Sequence, residues 1–120
     1  MEDIFDIIIQ ALTNAWNVIC DIFETIFINT VVNFLNDVTN YFKGLLLHKG
    51  VHTPFIIDAT AEEANIFKDL IPESKNNGII EGVFNNEKNS IDSIRYIGGE
   101  GVDEETKKIL NNNPIAILNS

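Results

Sequence analysis

His48 and His52 stand four residues apart in the stretch HKGVH. On a helix that spacing puts two imidazoles on one face, where they can grip a metal ion. Gly50 lies between them and Pro54 follows, so the helix that this geometry needs is not expected. No acidic or sulfur ligand is close in sequence, and the pair reads as two solvated side chains at a hinge. The run GGEG at 98–101 precedes a helical pattern, as phosphate-binding loops do. It lacks the Lys-Ser/Thr of a P-loop. Glu100, Asp103, Glu104 and Glu105 also crowd the place where an anion would sit. These four carboxylates miss the EF-hand spacing and read as first-turn acids that favour the helix dipole. Cys20, the single cysteine, has no base nearby in sequence and reads as a small, buried apolar residue. No Ser-His-Asp or metal-hydrolase spacing is present. The chain is therefore expected not to be an enzyme, with no catalytic residue, no cofactor and no metal.

The elements that carry these residues divide the chain in two. All seven glycines and all three prolines fall after Phe42. The composition shift predicts an apolar, amphipathic helical assembly region over 1–48, a hinge over 49–54 and a small α/β domain over 55–120. At 100° per residue, Phe5, Ile8, Leu12, Trp16, Ile19, Phe23 and Ile26 share one wide side of a helix. From Ile28 the apolar side turns by roughly 135°, and Phe34, Leu35, Val38 and Phe42 then align. The pattern predicts one kinked helix or two helices over about 3–47, with Asn29 or Thr30 capping the second. The β-branched run from Thr25 to Val32 is expected to weaken the helix there.

In the second part, TPFIID, IIEGVF, IDSIRYI and PIAIL read as strands. NNEKNS reads as a hairpin loop. A helix capped by Thr60, with Glu63 at the capping-box position, and a helix capped by Asp103 fall between them. The fold class predicted is α+β: a long N-terminal helical region, then a β-α-β-β-α-β domain of the ferredoxin-like, split βαβ kind.

Net charge is −10, and neither part of the chain has a basic patch, which argues against a nucleic-acid partner. The acidic start MEDIFD is unlike a secretory signal, so a cytoplasmic protein, or one exported without a signal peptide, is expected. Residues 4–47 hold 27 apolar residues. A continuous helix of that length would extend about 66 Å, more than twice the roughly 28 Å breadth of a 70-residue globule. Coverage by a partner is therefore expected, and copies of the same chain are the simplest source. The predicted function is a non-enzymatic structural subunit that self-assembles through its N-terminal helices. Phe5, Ile8, Leu12, Trp16, Ile19, Phe23 and Ile26 would form the contact surface, and Phe34, Leu35, Val38 and Phe42 a second one. A membrane-acting protein and an adaptor that docks its helices into a different protein are the alternatives. The acidic polar face opposes the membrane reading.

Overall fold

The structure, a computed structural model, describes residues 4–71 and 77–118, the side chain of Glu63 excepted. Its centre is a five-stranded mixed sheet: β1 (Glu24–Phe27), β2 (His52–Asp58), β3 (Gly78–Asn85), β4 (Ser90–Gly98) and β5 (Ile115–Ile117), in the order β1-β4-β3-β2-β5. β1 runs parallel to β4, and the remaining neighbours are antiparallel. β3 and β4 form a hairpin. In its loop the Asn85 Oδ1 accepts the N–H groups of Glu87 and Lys88, each at 3.0 Å, and Asn89 takes a left-handed φ of 51°. The register shifts between Val83, which faces Ser93, and Phe84, which faces Ile91. Asp92 is thereby left outside the ladder as a bulge.

The long helical region expected over about 3–47 is not there. α1 (Ile4–Asn14) and α2 (Trp16–Ile22) are separated at Ala15, where φ −105° and ψ 26° interrupt the helix. At Phe23 the backbone becomes extended (ψ 122°) and enters β1. It runs beside β4 and then beside the loop that follows β4, as far as Val32, which bridges Val102. A π-helical turn (Phe34–Val38) then leads into the short α3 (Thr39–Lys43). The physical reason lies in Thr25, Ile26, Ile28, Thr30, Val31 and Val32. These β-branched side chains lose rotamer freedom in a helix and pack well on a pleated surface. With β4 alongside, the run does more than weaken a helix: it becomes a strand. The apparent rotation of the apolar face marks the non-helical residues 23–33, after which Phe34, Leu35, Val38 and Phe42 fall in a separate helical segment.

The second half differs from a ferredoxin-like sandwich as well. β2 and β3, joined through a 3-10 helix (Glu62–Phe67), are adjacent and antiparallel, whereas a split βαβ unit places another strand between them. The two helices of this half also lie on opposite faces of the sheet. Ala64 and Phe67 belong to one core, and Leu110 of α4 (Glu104–Leu110) belongs to the other. Thr60 does not cap a helix: its N–H and Oγ1 donate to Asp58 Oδ1 at 2.9 and 2.7 Å. The residue before the 3-10 helix is Ala61, which has no capping side chain, and Glu63 at the expected capping-box position has no described side chain. Asn29 and Thr30 likewise cap nothing. Asn33 does so: its Oδ1 accepts the Asn36 N–H at 3.0 Å while its own N–H donates to Asp37 at 2.7 Å. Asp103 caps α4 as its sequence position suggests, accepting the Thr106 N–H at 3.0 Å.

Two cores result. On the first face Ile8, Leu12 and Ile19 pack over Phe55, Ile57, Ile80, Ile94 and Tyr96. Phe67 is wedged between the rings of Trp16 and Phe23, at 5.6 and 5.5 Å. Gly82 in β3 makes room for the Phe55 ring, which a Cβ there would strike. On the second face Val32, Val38, Leu110 and Ala116 enclose Ile56, Ile79 and Ile97. Each core draws residues from both sides of 49–54, where β2 begins at His52. The molecule measures 37 × 29 × 26 Å, so the N-terminal third wraps the sheet instead of projecting from it.

Candidate functional site

The residues expected to meet a partner are placed mainly in these cores. Ile8, Leu12, Ile19 and Val38 have no exposed surface. Phe5, Trp16 and Phe23 are half-buried against the first core, and Ile26, Phe34 and Phe42 against the second. Leu35 alone among the eleven is open to solvent, at 69%.

The histidine pair is close in space as well as in sequence, with ring centroids 5.7 Å apart. The His48 N–H donates to His52 Nδ1 at 2.9 Å, and His52 Nε2 lies 3.5 Å from Asp92 Oδ2. Both ring nitrogens of His52 therefore have a neighbour, the His48 N–H at Nδ1 and the Asp92 carboxylate at Nε2. Among the described residues no three His, Cys, Asp or Glu side chains gather to hold a metal ion. The GGEG loop is laced to the N-terminal half: the Glu100 N–H donates to Thr30 O at 3.0 Å and Gly101 O accepts from the Val32 N–H at 2.8 Å. A Cβ on Gly99 would collide with the Thr30 carbonyl oxygen, which explains a glycine there. Cys20, expected to be buried, is exposed. No helix among the described residues is long and apolar enough to cross a membrane.

Sequence reasoning passed over a polar island on the second face. The register aligns Glu24 of β1, Arg95 of β4 and Glu81 of β3 in one row. The Arg95 Nε donates to Glu81 Oε1 at 2.8 Å, one terminal nitrogen donates to the Asp37 carbonyl at 3.2 Å, and the guanidinium lies 4.2 Å from the centre of the Tyr41 ring. The Tyr41 hydroxyl hydrogen-bonds Ser93. Glu81 has no exposed surface, and its Oε2 has no hydrogen-bond partner among the described residues. Burial pushes its carboxyl up to about 7, against the pull of Arg95, and Asp37 adds to the rise. Burial likewise raises Tyr41 to about 12, with Ser93 and Arg95 opposing. The signal available in sequence was one acid inside the apolar run IIEGVF and one base inside IDSIRYI. The Glu81 carboxyl is sealed from solvent, with β2 and β4 on either side of its strand.

The sheet's outer edges differ. β5 is three residues long and follows Pro114. Among the described residues no strand pairs beyond β1, and the segment 24–32, ETIFINTVV, which is strand over 24–27 and bends at Asn29 and Thr30, contains no Lys, Arg or Pro and a single acid, Glu24. Thr25, Asn29 and the large apolar Phe27 (46%) and Val31 (43%) are exposed along it. Comparison with family models, with curated proteins and with solved structures finds no match. What the chain does is therefore read from this geometry alone.

Proposed function

We propose that the protein is a non-enzymatic subunit that associates with copies of itself by continuing its sheet across the outer edge of β1. The open edge over residues 24–32 carries this reading. Unpaired strand edges recruit other strands, and soluble proteins guard them with lysine, proline, bulges or short length. β5 has both short length and a proline; β1 is also short, at four residues, but neither it nor the segment up to Val32 carries a lysine or a proline. A two-fold axis beside β1 sets the edges of two copies antiparallel, so each presents the same surface to the other. The two five-stranded sheets become one, and Phe27 and Val31 are covered. In a chain of net charge −10, two copies meet here with one carboxylate apiece. The N-terminal helices then brace the sheet from one face while the strand that follows them makes the contact.

Size-exclusion chromatography with light scattering tests this. The expected mass is twice that of the chain or more. Thr25→Lys with Val31→Lys, both at exposed positions, should reduce it to one chain with an unchanged circular dichroism spectrum and melting curve. A wild-type protein that stays a single chain at high micromolar concentration, or a double variant that associates as before, overturns the reading.

A further inference from the structure

On the second face, beyond α3, Phe34, Phe42, Leu46, Leu47, Pro54 and Leu118 line an open groove of about 540 Å³. That volume lies in the range of small-molecule sites. Lys43, in the last turn of α3, stands on its wall. A second hollow of about 290 Å³ shares Pro54 and Leu118 with it and adds Lys49 and His52. No carboxylate lines either hollow. Residues 38–57 contain no Asp or Glu in a chain that holds 18 of them. Lys43 and Lys49 pair with no carboxylate among the described residues. Leu46, among the lining residues, takes a left-handed φ of 52° in the turn that ends α3 and is 80% exposed.

We propose that this groove binds the acyl chain of a single-chain anionic amphiphile, a long-chain carboxylate, with the head group on Lys43 and Lys49. The apolar walls supply a length-dependent hydrophobic attraction. The two lysines supply charge complementarity in the longest stretch of the chain without an acid. A bilayer is a poorer match, because the rest of the surface is acidic and repels anionic lipid.

The test is titration of the full-length protein with octanoate, decanoate and laurate below their micelle concentrations, followed by calorimetry. Affinity is expected to rise with each added pair of methylenes. Methyl laurate should bind about tenfold more weakly than laurate. Lys43→Glu with Lys49→Glu should weaken laurate by about tenfold or more and leave the ester unaffected. Leu46→Asp, at a position too exposed to threaten folding, should lower the affinity for both. Binding independent of chain length, equal affinity in the charge-reversed protein, or no laurate binding with partition only into phosphatidylcholine–phosphatidylglycerol vesicles would each overturn the assignment. The state of association in the same samples is a separate readout, so this outcome and that of the edge pairing are distinguishable.

Discussion

The two faces of the sheet use alternate residues of the same strands but are held in different ways. On the first face, Phe55, Ile57, Ile80 and Ile94 meet Ile8, Leu12, Ile19 and Phe67, and the contact is apolar and tightly filled. On the second face an apolar core is interrupted by Glu81, Arg95 and Tyr41, whose groups must satisfy one another. The first kind of contact is tolerant of partner identity and sensitive to volume. The second is sensitive to identity, because removing one partner strands the other in a site without water. The first face is therefore expected to respond mainly to lost volume, and the second to a lost partner.

That contrast is broken most severely by Arg95→Met, which leaves Glu81 buried without its partner. A loss of about 4 kcal/mol is expected at pH 8 in urea unfolding. Glu81→Leu with Arg95→Met should recover most of it, since an apolar pair of similar volume replaces both charges. A double variant as unstable as the single one would show that the island does more than satisfy itself. On the first face, Leu12→Ala should cost about 3 kcal/mol in one cooperative transition. If the N-terminal helices were separate from the core, the midpoint would not move.

Titration sharpens the contrast further. The Glu81 carboxyl is raised from 4.5 to about 7 in the folded protein, so the fold holds its proton more tightly than the unfolded chain does. Its favourable contribution is complete below about pH 4.5 and is lost as pH rises through about 7. The stability of wild type relative to Glu81→Gln should therefore fall by roughly 2–3 kcal/mol between pH 5 and pH 8. Asp103 has the opposite sign. Burial works against its charged form, but hydrogen bonds from the Thr106 hydroxyl and N–H and from the Phe34 N–H prevail and hold it below the usual carboxylate range. Its contribution is present at neutral pH and is lost as pH falls through that lowered value. Asp103→Ala should cost about 1 kcal/mol at pH 7 and progressively less in acid, as checked by thermal melts across the acid range.

The parts legible in sequence are those set by near neighbours. The Asp103 cap and the hairpin loop at Asn86–Asn89 rest on contacts a few residues apart, and the strand character of residues around 53–58, 79–84 and 91–97 on their own residue types. The N-terminal strand was not legible as one. Phe23 and Ile26 continue the helical spacing of α1 and α2, and only a partner strand some 70 residues away decides that residues 24–27 extend. The candidate site was hidden for the same reason. Glu81 and Arg95 come from different strands of a hairpin, and a bulge at Asp92 adjusts which residues face. The exposed edge exists because no strand among the described residues pairs beyond β1.

By itself, then, the sequence determined the acidic surface, the α+β mixture, the turn and cap residues and the amount of apolar surface that had to be buried. These follow from composition and from interactions within one turn or one hairpin. The tertiary structure decided where that surface goes: onto both faces of a sheet whose order is set by distant pairings. It also decided which strand remains an edge, because strand pairing is satisfied by backbone groups that every residue carries alike and that leave no mark on the local pattern.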